Sequence, residues 1–157
     1  MTGRTAGATA MTLALLTSVT SALDGAPRTS RPAGAVTLAI TATGFRNARG
    51  HAIVALYAGA DGWLKSERAT RIATVAVQDT AVVVTFAELP AGTYAVSVIH
   101  DENDNGKLDM RYFPFPRPRE GAGVSNDVRP RLGPPTWADA RFSAVGGPHS
   151  VGITVRY

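Results

Sequence analysis

The chain has no cysteine among its 157 residues, which removes disulfides, thiolate zinc sites, a cysteine nucleophile and a cysteine-borne lipid anchor. An exported fold of this composition must stand on its core and on any metal it binds. Charge of one sign is also in short supply. Sixteen basic against twelve acidic residues leave a net charge of +4, too small at this length to indicate a nucleic-acid partner. No segment longer than about three turns repeats with a helical period. No apolar run is long enough to anchor the chain stably across a bilayer. What remains is a chain that is 45% hydrophobic, enough to build one real core in one domain.

The N-terminus differs from the rest. Arg4 precedes an apolar stretch from Ala10 to Thr20, and Ser21-Ala22 supplies small residues at which a signal peptidase can cut. Residues 1–22 therefore read as a secretory signal peptide, and the mature protein is expected to be exported, periplasmic or extracellular, with no transmembrane anchor. Residues 23–34, with Pro27, Arg28, Arg31, Pro32 and Gly34, carry no periodic apolar pattern and read as a linker. The domain is expected over 35–157.

Within it, short runs alternate with period two. They are Val36-Leu38-Ile40, Ile53-Ala55-Tyr57, Ile72 to Val77, Val82-Val84-Phe86, Tyr94-Val96-Val98, Phe142 to Val145, and Val151-Ile153-Val155-Tyr157. Turn residues at Asn47 to Gly50, Gln78 to Thr80 and Gly146 to Pro148 punctuate them. The pattern predicts an all-β fold: an antiparallel two-sheet β-sandwich of about seven strands, immunoglobulin-like or prealbumin-like, with one long ordered loop. Ala60 to Thr70 reads as a short helix or a strand-capping loop, with Trp63 as a lid on the core. The long loop runs from Glu102 to Ala138. Its prolines stiffen it, and Tyr112, Phe113, Phe115 and Trp137 form either a buried cap or an exposed binding surface. Arg111, Arg117, Arg119, Arg129 and Arg131 gather there too, but Asp109, Glu120 and Asp127 lie among them, which reads as a mixed solvated surface.

The densest chemistry lies from His100 to Asp109. Asp101, Asn103 and Asn105 fall at the first, third and fifth positions of a calcium-type loop, and Gly106 supplies the turn. The Lys107 carbonyl falls at the seventh position and Asp109 at the ninth. Calcium is a hard cation that takes six to eight oxygens, which a chain wrapped around it presents at alternate residues. The twelfth position is Tyr112 rather than glutamate, so another segment must complete the shell, and Glu120 is the nearest candidate. The alternative is a tight solvated turn, which favours the same residue types. Strand parity puts His100 on the core face beside Tyr94, Val96 and Val98, as a half-buried histidine that bonds a backbone carbonyl and orients the loop.

Together with Thr43-Gly44-Phe45-Arg46-Asn47, Leu89-Pro90-Ala91-Gly92-Thr93-Tyr94, Pro118-Arg119-Glu120-Gly121 through Asn126 and Gly133 through Ala140, this loop makes residues 36 to 157 resemble the bacterial domain of unknown function 2141 family. The resemblance implies an exported β-sandwich in which Asp101, Asn103, Asn105, Asp109, Glu120, Ser125 and Asn126 look most like a shared site. The expected function is an exported, non-enzymatic binding or structural module with a calcium-stabilised loop. Its ligand or protein partner is unidentified. One alternative is a metal-assisted hydrolase at His100, Asp101 and Glu120 with Ser125, although no third group orients His100 as a base. The other is a carrier of a small apolar ligand.

Overall fold

The computed structural model describes residues 34–129 and 133–157; the expected leader and all of the linker but Gly34 lie outside the described residues. The fold is all-β. All seven predicted runs are strands: β1 (Val36–Thr43), β2 (His51–Tyr57), β3 (Arg71–Ala76), β4 (Ala81–Leu89), β5 (Gly92–Asp101), β9 (Phe142–Ala144) and β10 (Gly147–Thr154). The long loop holds three further short ones, β6 (Met110–Arg111), β7 (Arg117–Pro118) and β8 (Gly121–Val124), and a four-residue helix α1 (Trp137–Ala140). The expected loop without regular structure is therefore subdivided.

One sheet has the order β10-β1-β4 and a second the order β3-β2-β5-β8, with β9 pairing the start of β5. Alternation explains the first sheet. In β1, Val36, Leu38, Ile40 and Ala42 are buried, and in β4, Val82, Val84 and Phe86 are buried while Val83 between them is exposed. These side chains meet Ala52, Val54 and Leu56 of β2 and Tyr94, Val96 and Val98 of β5 in one core cluster. The expectation of uniformly antiparallel pairing is corrected at one place: β1 and β10 run parallel, from Val36 opposite Gly147 to Thr43 opposite Thr154. β10 thereby lies beside β1, and Tyr157 ends up near the β1–β2 connection.

Sequence reasoning missed β8 because Gly-Ala-Gly-Val has no apolar alternation. Its glycines answer a steric demand. A Cβ on Gly121 would press on the Val155 and Tyr157 side chains, and one on Gly123 on the Thr154 carbonyl and Ile153, so only glycine lets the C-terminal segment pass this closely. On the outer face of β5, Ala95, Val124 and Ala140 make a small second cluster against which Trp63, Val128 and Trp137 pack. Trp63 meets Tyr57 and Trp137 edge-on at 5.1 and 5.7 Å, and its indole N–H donates to the Pro135 carbonyl at 2.8 Å. The lid expected on the core thus packs on this second cluster instead, ahead of the 3-10 turn Ser66–Arg68.

Gly50, with φ +65°, closes the β1–β2 connection where an added Cβ would overlap the Asp101 carbonyl, whereas Gly146, with φ +51°, has open space around it. Gly146→Ala should cost only the left-handed backbone penalty of about 1–2 kcal/mol. Gly50→Ala should cost clearly more, and urea unfolding of both variants compares them. Equal losses would show that the β1–β2 connection moves off Asp101 freely.

Candidate functional site

Strand β5 delivers His100 and Asp101 to one end of the sheet, where the β1–β2 turn, the C-terminal Tyr157 and the loop after β5 converge. His100 is fully buried, deeper than the half-buried position expected. Its Nε2 meets the Arg49 carbonyl at 2.7 Å and its Nδ1 meets the Tyr157 hydroxyl at 2.5 Å. A carbonyl can only accept, so Nε2 carries the proton and the Tyr157 O–H donates to Nδ1. The Tyr157 oxygen in turn accepts from the Arg46 N–H at 3.1 Å. Phe45 closes the ring from the side, edge-on at 5.1 Å. Both ring nitrogens are thus engaged in joining the β1–β2 connection to Tyr157.

The carboxylates that follow are organised by backbone N–H groups. Asp101, only 2% exposed, accepts from Asn105 N at 3.1 Å and Gly106 N at 2.7 Å, which closes the loop on its own first residue. Gly106 takes φ +78° there, the conformation for which glycine is suited. Asn103 and Asn105 each accept a backbone N–H two residues on, from Asn105 and Lys107, and both side-chain amides donate to Asp109, at 2.9 and 3.0 Å. Glu120, 4% exposed, reaches back from the end of the β6–β7 hairpin. Its oxygens accept from Glu102 N at 3.0 Å and Asp109 N at 3.1 Å, and Arg119 N donates to the Asp109 carbonyl at 2.8 Å. Of the residues expected to bind metal, Asp101, Asn103, Asn105, Lys107, Asp109 and Glu120 therefore share one loop and its clamp.

Ser125 and Asn126 do not join them. Ser125 lies beside Val96, five residues back along β5 from Asp101 and so roughly 16 Å away at strand spacing. Its hydroxyl donates to the Ala140 carbonyl at 2.6 Å and accepts from Val96 N at 3.0 Å. Asn126, at φ 62°, donates its amide to the Asp139 and Arg141 carbonyls and pins α1. Both are spent on the second cluster rather than on the loop.

Four residues that sequence reasoning left out of the site, Arg46, Asn47, Glu102 and Tyr157, complete it. Arg46 binds Glu102 through both arms of its guanidinium, Asn47 adds a bond to the same carboxylate, and the Arg46 guanidinium stacks 4.3 Å over the Tyr157 ring. That bond from Arg46 is the main reason the Glu102 carboxyl sits below its ordinary pKa, with Asn47 assisting against partial burial. Asp109 is also lowered, chiefly by the Asn105 amide. The predicted mixed surface is corrected here. Asp109 and Glu120 are occupied by amide and backbone donors, and Asp127 by Thr154 and Arg156. Among the described residues no carboxylate forms an ion pair with Arg111, Arg117 or Arg119.

Two recesses flank the clamp. One of 240 Å³ lies between Arg46, Arg49 and Arg119 and the acids Glu102, Asp109 and Glu120. The second, of 480 Å³, is lined by Arg46, Arg111, Arg117, Pro118, Arg119 and Tyr157.

A family model matches residues 40–151, which takes in every strand from β2 to β9, the loop and its clamp. The chain belongs to the domain of unknown function 2141 family, uncharacterised proteins conserved in bacteria. No curated protein and no solved structure matches it significantly. The family's segment thus contains the Asp101 loop, Glu120 and the arginine-lined recess, but not Tyr157, which closes His100 from outside the matched range.

Two tests follow from this geometry. Glu102 has a folded pKa below its unfolded value, so its stabilisation is full above an unfolded pKa of about 4.3 and is lost as pH falls through the lower folded value. Arg46→Gln should raise the Glu102 pKa in a carboxyl NMR titration and leave Asp127 where it is. Unchanged Glu102 titration would mean that the guanidinium is not what holds it. Glu120→Gln replaces one acceptor by a donor facing a backbone N–H, and should cost about 1–3 kcal/mol. Hydrogen exchange should quicken selectively at the Glu102 or Asp109 amide, and uniform quickening would point to a general loss of stability instead.

Proposed function

We propose that this protein is an exported, non-enzymatic β-sandwich module, immunoglobulin-like or prealbumin-like, that binds a partner through the β5–β8 end of its sheets and is stiffened there by calcium. The sandwich reading is supported by a single core cluster shared by the β10-β1-β4 and β3-β2-β5-β8 sheets. The leader pattern over residues 1–22 supports export. The observation that carries the calcium reading is the convergence of Asn103, Asn105 and Asp109, whose amide groups and carboxylate already meet within hydrogen-bond distance.

A half-turn of each amide would bring its oxygen to Asp109 at the expense of the bonds those oxygens accept from the Asn105 and Lys107 N–H groups, and Asp109 would then share one small volume with two neutral oxygens. Asp101 and the Lys107 carbonyl are placed by sequence to add to them, and Glu120 keeps one lone pair on each oxygen beyond its backbone bonds. Among the described residues no three His, Asp or Glu side chains group as a metal holder, so the shell would depend on amide, carbonyl and water oxygens. That composition suits the weak extracellular class, with affinity on the order of 0.1 to 1 mM. Calcium would supply charge neutralisation and stiffness rather than chemistry. The hydrolase alternative has less to stand on, because both His100 ring nitrogens and the Ser125 hydroxyl are engaged in structural bonds. For a carrier role, neither recess beside the clamp suits an apolar ligand, since both are lined largely by charged side chains.

Calcium titrated into chelator-treated protein should raise the melting temperature saturably, and Asp109→Asn should abolish that rise. Asp101→Ala should lower the melting temperature even without the ion, because its carboxylate holds two backbone N–H groups by itself. No response up to several millimolar, beyond the weak extracellular range, would leave the loop a hydrogen-bonded turn.

A further inference from the structure

The β6–β7 hairpin carries the most exposed large hydrophobic side chains among the described residues. Tyr112, Phe113 and Phe115 at its tip are 74%, 85% and 76% exposed. Below the tip, Arg111 lies directly opposite Arg117 in the two-residue ladder. Like charges directly opposite one another destabilise such a pair, and no carboxylate forms an ion pair with either guanidinium among the described residues. Behind them the 480 Å³ recess is walled by the same two arginines with Arg46, Arg119 and Tyr157. The nearest acids, Asp109 and Glu120, sit at the hairpin's feet and are already satisfied by amide and backbone donors. Apolar rings above and unpaired cations below define an ordered sequence of surfaces.

We propose that this hairpin docks on an anionic lipid bilayer, with the three rings entering the headgroup region and Arg111, Arg117 and Arg119 taking lipid phosphates. Charge complementarity fixes the sign of the partner. Three exposed rings beside arginines that lack a carboxylate partner match the aromatic and basic character of a bilayer interface, which accepts such an element without a matching groove. The backbone fits as well. Pro114, Pro116 and Pro118 lack N–H groups, so the tip carries fewer donors to leave unpaired as water is withdrawn. The anchoring of both feet by Glu120 gives the hairpin a fixed aim. This inference names the partner of the proposed binding module. It does not need calcium, and its test is run in chelator, so its failure is separable from that of the metal reading.

The absence of cysteine makes a local probe simple. Phe113→Cys in the full chain, labelled with an environment-sensitive fluorophore, reports on the tip alone, even if the apolar stretch near the N-terminus adheres to lipid. Val83→Cys on β4, also exposed, is the control. Vesicles of phosphatidylglycerol and phosphatidylcholine should shift the label at 113 to the blue and leave the label at 83 unchanged, and pure phosphatidylcholine should shift neither label. Adding Arg111→Gln and Arg117→Gln should weaken the response about thirtyfold, at the usual contribution of one basic residue near an anionic surface. Both side chains are on an exposed hairpin, so melting temperature should not change. An unshifted label at 113, or equal shifts at 113 and 83, would overturn the proposal. So would a shift produced by a soluble acidic polypeptide without lipid, which would assign the surface to a protein partner.

Discussion

The end of the fold that bears the site depends on burying two carboxylates and an imidazole where no water reaches most of their atoms. Each buried polar atom there must find a partner or cost as much as a lost hydrogen bond. Asp101, Glu120 and His100 meet that demand with backbone groups from two segments, the Arg49 turn and residues 102 to 109, and His100 also with the Tyr157 hydroxyl. The loop after β5, the turn before β2 and the return of the hairpin are therefore fixed relative to one another by the same few bonds. No buried side-chain nitrogen or oxygen is left without a partner among the described residues.

This node lets an extended, weakly apolar segment keep a defined course. Residues 102 to 120 bury little hydrophobic surface, and Tyr112, Phe113 and Phe115 none to speak of. Their order comes instead from Glu120 bridging two amides eleven or more positions away, and from the Arg119–Asp109 backbone bond at the base. The Asp109 and Glu120 carboxylates are aimed at amide and backbone donors, so among the described residues neither closes an ion pair with Arg111 or Arg117, although Asp109 still feels Arg119 through space. Structural economy at the base and the unpaired charge on the flap are two aspects of one arrangement.

Much of this could be read from the residues. Period-two runs located β1 to β5, β9 and β10, because half-buried strands impose that alternation directly. The Asp/Asn/Gly spacing located the loop, because a tight turn and an oxygen cage need the same side chains. Parity placed His100 on the core face. β8 was not legible, since its glycines are dictated by Val155 and Tyr157 passing over them, a long-range contact with no local trace. Nor was the split among the aromatics: Trp137 joins Trp63, while the three rings near residue 113 stay in solvent. The alternation of Arg117 and Arg119 was the available signal for the basic face, but intervening acids concealed it.

The sequence alone determined the all-β class, the strand positions, the acidic loop and the lack of any covalent cross-link, because these follow from period, turn chemistry and composition. Tertiary structure decided which acids would be spent and on what. Only folding brings Tyr157 to His100, Glu120 to Asp109 and Arg111 opposite Arg117, and a charge's role is set by the partner that burial or pairing gives it.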